Sequence, residues 1–212
     1  MAPPWKFTCA LWALASTVSC AAAQATSLTE LCSTSFAQSS LPAADFFPGL
    51  TIDADSVETT LVRNASASSE WYPTASFDYC NITFAYSHDG GGGLAINSQK
   101  ADIPTGVIVG ALSGIADGGF GSFDSQWDSV FLLANNTINW QSVYMFGYQA
   151  HHELATLGKE FARNLYAVNV TEKVFSYYQG CSEGGREGWS QLQRFGEQFD
   201  GAAIGAPAFR YG

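Results

Sequence analysis

The chain has 212 residues, with nine Lys and Arg against nineteen Asp and Glu and a formal net charge of −10. Hydrophobic residues make up 47% and charged residues 13%, which is too apolar and too weakly charged for a disordered chain, so one packed domain is expected. The acidic balance argues against a nucleic-acid binder, which needs a basic face to neutralise phosphates.

Residues 1–23 read as a cleaved secretory signal: Lys6 is the only charge, an apolar run follows from Phe7 to Val18, and Ala21, Ala22 and Ala23 supply the small residues at the cut, with cleavage after Ala25 as the alternative. The run is shorter than the roughly 20 residues that cross a bilayer. The expectation is a secreted chain, off the membrane once the signal is removed, with residues 24–212 as the folded part. Four N-x-[ST] sequons, at Asn64, Asn81, Asn135 and Asn169, agree with that compartment and are the expected glycosylation sites. Of five cysteines, Cys9 and Cys20 leave with the signal. Cys32, Cys80 and Cys181 remain, an odd number that leaves one without an internal partner.

Ser27 and Glu30 have capping-box spacing and predict a short helix from about Leu28 to Ala37. Pro42, Pro48 and Gly49 then break the chain, and two short strands are expected near 51–53 and 57–63. Phe77 to Tyr86 predicts a strand with Cys80, Ile82, Phe84 and Tyr86 on one face and Asn81 and Thr83 on the other. A glycan on Asn81 then points to solvent while Cys80 points inward, and Cys32 on the preceding helix is its natural partner. His88 precedes the run Gly90–Gly93. Val107–Ile115 is apolar and glycine-spaced and predicts a buried strand, and Asp117–Gly121 a turn. Apolar residues at steps of three and four predict one helix from Trp140 to Asn164. Val174–Gln179 predicts a strand buried on both faces, Gly185–Phe195 a helix, and Ala202–Gly205 a last strand. That alternation argues for an α/β unit with parallel strands.

The sharpest motif is Gly180-Cys181-Ser182-Glu183-Gly184, which has the G-x-S-x-G spacing of a nucleophile elbow. A strand-to-helix turn this tight is expected to exclude side chains two residues either side of the serine. It lifts the Ser182 hydroxyl above the sheet and sets the Glu183 N–H where an oxyanion would form. Gly92 and Gly93 are weaker candidates for a second oxyanion donor. Serine needs a base, normally His, oriented by a carboxylate. No histidine follows Ser182; the carboxylates after it are Glu183, Glu187, Glu197 and Asp200. His151 and His152 read as helix-surface or packing residues, and His88 is the other base candidate. No metal-ligand spacing is present, and no cofactor is expected.

The stretches Gly91–Asn97, Asp117–Gly121, Tyr144–Tyr148, Tyr177–Arg186 and Ala203–Pro207 resemble the tannase and feruloyl esterase family, secreted serine esterases that hydrolyse galloyl or feruloyl esters of plant phenolics. The resemblance implies an α/β-hydrolase fold. In the family a cysteine precedes the catalytic serine, matching Cys181 and Ser182, and bonds to another directly before the catalytic histidine, with the Asp between them in sequence. The carry-over pairs Cys32 with Cys80 and leaves Cys181 without its partner. The Asp, the Cys-His pair and a lid domain that often holds calcium are absent from these 212 residues, so an incomplete catalytic domain is expected. The run from Asp89-Gly90 straight into Gly91 is shorter than the family pattern, which weakens any oxyanion role for Gly92 or Gly93.

The reading is a secreted carboxylic-ester hydrolase in which Ser182 forms an acyl-enzyme on a small phenolic ester, with no turnover expected of this form by itself. The alternatives are a non-catalytic secreted glycoprotein fragment or incomplete gene product, for which a disulfide-linked dimer through Cys181 is one expected association, and a peptidase using the same elbow.

Overall fold

The computed structural model describes residues 27–69, 72–88, 93–94, 103–116 and 131–209. The expected signal segment, the turn at 117–121 and Gly92 lie outside them.

Helices α1 (Leu28–Leu31) and α2 (Thr34–Ser39) replace the single helix expected from Leu28 to Ala37. The capping box forms: the Ser27 N–H donates to Glu30 Oε2 at 3.1 Å and the Glu30 N–H to Ser27 Oγ at 3.3 Å. The break follows from a second cap, Ser33, whose Oγ accepts from the Phe36 N–H at 3.3 Å and restarts the helix. Cys32 sits at that break and is disulfide-bonded to Cys80, as expected.

Strands β1 (Leu50–Ser69) and β2 (Tyr72–His88) form a long antiparallel pair, and β3 (Gly93–Leu94) adds a short third strand against Ser87 and Tyr86. The two runs expected before residue 64 are one strand, with a register shift between Asp53 and Glu58. Ser56 stitches the bulge, donating to Asp53 O at 2.6 Å and accepting from the Ala85 N–H at 2.7 Å.

The strand expected over Val107–Ile115 is absent. Ile103–Ile108 is helix α3, followed by a turn with Gly110 at φ +80°. The Gly110 N–H donates to Val107 O and the Ala111 N–H to Gly106 O, both at 2.9 Å, the Schellman pattern that satisfies the last carbonyls of a helix. Pro104 in the first turn and Gly110 just past the end are ordinary helix boundaries. Val109 and Leu112 are exposed, so this run is not buried either.

The helix expected from Trp140 to Asn164 is present but irregular. Helix α4 (Trp140–Tyr144) passes into a π-helical turn (Met145–Gln149) and then α5 (Ala150–Leu165). The buried stripe of α5 is Ala150, Glu153, Leu157, Phe161 and Leu165. It packs on the hairpin: Leu157 joins Leu50 and Tyr86, flanked by Phe47 and Ile52, and Phe161 lies 5.8 Å from Phe84. Beyond it come β4 (Tyr177–Cys181), α6 (Glu183–Phe195), a 3-10 turn (Gly196–Gln198) and β5 (Gly201–Gly205). The two strands pair in parallel from Tyr177 opposite Gly201 to Cys181 opposite Gly205. The expected strand–helix–strand unit is therefore present. Strand β4 starts later than expected and is not buried on both faces: Tyr178 and Gly180 are half-buried, while Phe175 and Tyr177 stay exposed.

All four sequon asparagines are exposed. Asn135 and Asn169 sit in turns in which Oδ1 accepts from both the N–H and the hydroxyl of Thr137 and Thr171 respectively. No helix among the described residues is long and apolar enough to cross a membrane.

The disulfide joins positions 48 residues apart and ties α1 to the hairpin. Cross-linking a loop of that size stabilises by about 3–4 kcal/mol in the loop-entropy account. Cys80→Ser is expected to lower stability by about that amount, measured by denaturant titration beside the parent chain. A change below about 1 kcal/mol would show that the hairpin is held without the bridge.

Candidate active site

Gly180-Cys181-Ser182-Glu183-Gly184 forms a sharp strand-to-helix turn. Cys181 ends β4, Glu183 begins α6, and Ser182 alone makes the reversal with φ +58° and ψ −113°. A non-glycine residue at such a φ is strained by about 1–3 kcal/mol and persists only where its surroundings hold it. Here β5 and the segment after it do so: the Ser182 N–H donates to Gly205 O at 3.1 Å, and the Ala208 N–H donates to Ser182 O at 3.0 Å. Ser182 is exposed, on the crest between sheet and helix.

The glycine requirement is one-sided. A Cβ on Gly180 would lie 2.5 Å from Gly184 O, whereas a Cβ on Gly184 would meet only Tyr178 Oη, at 3.8 Å. The closest packing occurs further along α6. Gly185 approaches Gly205 O and Pro207, and Gly188 approaches the Tyr178 ring, each with a virtual Cβ contact of 2.5 Å.

Side chains lock this turn to its neighbours. Tyr178 Oη donates to Gly184 O at 2.6 Å. Arg186 grips the Glu183 carboxylate at 2.5 and 2.7 Å, donates to Phe146 O at 3.1 Å, and lies 4.8 Å over the Phe146 ring. The Tyr178 phenol is held well above its ordinary pKa, first by burial and then by the Glu187 carboxylate.

The base candidates are all engaged elsewhere. His88 Nε2 lies 3.0 Å from Glu153 Oε1, a fully buried carboxylate that also accepts from Gln149 Nε2 at 2.7 Å. His151 pairs with Glu187 at 3.0 Å. His152 stacks on Phe195 at 3.7 Å and bonds Gln198 Oε1 at 3.0 Å. Sequence reasoning missed Glu153, although its place in the apolar stripe between Ala150 and Leu157 marked it as buried. Asp200 stands at the opposite end of the β4–β5 pair from Ser182: its carboxylate accepts from the Ser176 N–H at 2.9 Å and pairs with Lys173. Those two partners hold its pKa below the usual carboxylate range. Gly93 pairs with Ser87 in the hairpin sheet, not in the sheet that carries Ser182. Cys181 is exposed and carries no disulfide among the described residues.

Comparison with known proteins now bears on this geometry. The profile described as "Tannase and feruloyl esterase" matches residues 77–212. The chain belongs to the tannase and feruloyl esterase family. It is 38% identical to the tannase of Aspergillus oryzae over 90% of its own length and 36% of that protein's. It is 32% identical to a probable feruloyl esterase B-1 of the same organism over 72% of its own length and 25% of that protein's. A solved tannin acyl hydrolase from Aspergillus niger, an α/β-hydrolase-type enzyme, superposes with a TM-score of 0.81 at 49% identity, over 89% of this chain and 39% of that one. The chain therefore spans about a third of the length of the tannases it matches. No group of three His, Cys, Asp or Glu able to hold a metal ion occurs among the described residues.

Two predictions follow from the elbow. Gly180→Ala should destabilise by about 2 kcal/mol or more through overpacking, Gly184→Ala should cost less than about 0.5 kcal/mol because alanine suits a helix, and Ser182→Gly should gain about 1 kcal/mol by releasing strain. Chemical denaturation of the three variants checks the order, and equal losses at both glycines would contradict the one-sided clash. The second concerns alkali. Tyr178 ionises less readily folded than unfolded, so its contribution is fully present below about pH 10 and falls as pH rises beyond it. Tyr178→Phe should start about 1 kcal/mol lower, lacking the bond to Gly184 O, yet lose less stability between pH 9 and 11 than the parent in parallel melts.

Proposed function

We propose that this chain carries the nucleophile half of a secreted carboxylic-ester hydrolase acting on small phenolic esters of the galloyl or feruloyl type. Ser182 Oγ attacks the ester carbonyl, the alcohol leaves, and water later releases the acid from the acyl-serine. The Glu183 N–H, in the first turn of α6, faces the developing oxyanion, where the helix's positive end adds to it. The observation that carries the reading is the exposed serine held at φ +58° between a parallel strand and a helix, in a chain of this family.

The same geometry supports a limit. A general base must stand within about 3 Å of the serine proton, or one water away, and each of the three histidines is already committed to another group. These 212 residues by themselves should not turn over ester. Glycosylation at the four exposed sequons and export from the cell belong to this proposal. The exposed thiol of Cys181 favours one rival, a non-catalytic glycoprotein that dimerises by disulfide.

One experiment separates them. The purified chain is given methyl gallate and methyl ferulate, and in parallel an aryl fluorophosphonate with and without added imidazole as a substitute base. Turnover should match that of Ser182→Ala, while the phosphonyl label should map to Ser182 and form faster with imidazole. Turnover lost on Ser182→Ala would refute the absence of a base. Label spread over other serines would refute the nucleophile and leave the non-catalytic reading.

A further inference from the structure

Glu183 is awkwardly placed for the reaction of its neighbour. Its backbone N–H is the oxyanion donor assigned above, and its side chain brings a carboxylate into the first turn of α6. The N–H groups at the start of a helix attract any nearby anion. The carboxylate and the oxyanion of the reaction therefore compete for the same positive end, and the carboxylate is present at all times. A charge of like sign beside a developing oxyanion also raises its energy, most of all where water is partly excluded.

Arg186, one turn along α6, withholds that carboxylate. Its Nε and Nη2 meet Glu183 Oε1 at 2.7 and 2.5 Å. The two side chains are only 20% and 21% exposed, so water screens the pair in part. The guanidinium is itself fixed from the other side. Its Nη2 donates to Phe146 O at 3.1 Å and its carbon lies 4.8 Å over the Phe146 ring, both in the π-helical turn. Nη2 also stands 3.8 Å from Glu187 Oε1, while Glu187 Oε2 pairs with His151 at 3.0 Å. An anchored cation thus keeps the Glu183 carboxylate against the π turn.

We propose that Arg186 is a positioning residue for ester cleavage: it holds and neutralises the Glu183 carboxylate, which leaves the first-turn N–H groups of α6 to the oxyanion. The proposal rests on the reading of Ser182 as the nucleophile. Arg186 touches no reacting atom and acts through Glu183. A guanidinium that only tied α6 to the π turn through Phe146 O would matter equally whether or not residue 183 carried a charge.

The experiment reads that difference. The rate at which a neutral aryl fluorophosphonate labels Ser182 in the presence of imidazole is measured for the parent chain, Arg186→Met, Arg186→Lys, Glu183→Ala and the double variant Glu183→Ala/Arg186→Met. The step forms the Oγ–P bond, breaks P–F, passes the serine proton to imidazole and gathers negative charge on the phosphoryl oxygen before fluoride leaves. Arg186→Met should slow labelling about tenfold, less than the roughly 10²–10³-fold loss of an oxyanion donor outright. Arg186→Lys keeps the charge without the planar fork and should recover part of that loss. Glu183→Ala should label about two- to fivefold faster than the parent, the size of one charge at a helix end. The double variant should be at least as fast as the parent, because the group that Arg186 restrains is gone. Circular dichroism melts of every variant set an assay temperature at which all are folded. Should Arg186→Met not fold, Glu183→Ala decides, and a rate no higher than the parent's overturns the proposal. A double variant as slow as Arg186→Met, or Arg186→Met as fast as the parent, would overturn it and leave the nucleophile standing. No label on Ser182 in the parent would refute the nucleophile and the role of Arg186 together.

Discussion

Helix α6 can lie on β4 and β5 only because the contact positions carry no side chain. At Gly180, Gly185 and Gly188 a Cβ would come within 2.5 Å of Gly184 O, Gly205 O and the Tyr178 ring. With helix and sheet this close, the chain must pass from Cys181 to Glu183 in one residue, and that residue takes the cost as a positive φ. The strain at Ser182 is thus a consequence of packing several residues away. Two backbone hydrogen bonds, to Gly205 O and from the Ala208 N–H, hold the conformation. Among the described residues Ser182 stands exposed at the crest of this tight reversal.

The other face of α6 explains the irregular helix beside it. A π-helical turn displaces carbonyls from the regular ladder, and such groups need donors from outside. Helix α6 supplies them: Arg186 reaches Phe146 O, Ser190 reaches Gly147 O at 3.0 Å, and Gln191, fully buried, reaches Tyr148 O. Arg186 also holds the Glu183 carboxylate, so one guanidinium couples the first turn of the elbow helix to the π turn. The wide turn and the elbow are two ends of a single polar interface.

What could be read from the sequence was what depends on short-range rules. The capping box at Ser27 needs four residues, the elbow needs five and a flanking strand and helix, and β2 shows its alternation within the ten residues Phe77–Tyr86. The misreadings have separate causes. Val107–Ile115 looked like a strand because it is apolar, yet Pro104 and Gly110 bracket a helix and outweigh it. The two runs in β1 looked separate because Asp53–Ser56 is polar, and only the partner strand reveals a bulge. The π turn left no trace, since apolar steps of three and four fit either winding, and its cause lies forty residues away on α6. The clash at Gly184 was inferred from symmetry of the motif, but a turn that leaves a strand and enters a helix is not symmetric.

The placement of the histidines separates building the crest from using it. The backbone of Ser182 is bonded to Gly205 in β5, Arg186 in α6 and Ala208 after β5, and Tyr178 in β4 bonds Gly184 O. His88 serves the fold instead. Drawing it away would leave the buried Glu153 carboxylate with Gln149 alone, and a buried charge deprived of its partner costs several kcal/mol, on the order of 3–5. His152 is equally tied, by its stack on Phe195 and its bond to Gln198 in the 3-10 turn. Recruiting either as a base would therefore cost stability comparable with the rate it could supply, since general-base help of 10²–10⁴-fold is worth only about 3–5 kcal/mol. The geometry of Ser182 is a property of close helix–sheet packing, and the three histidines take no part in building it.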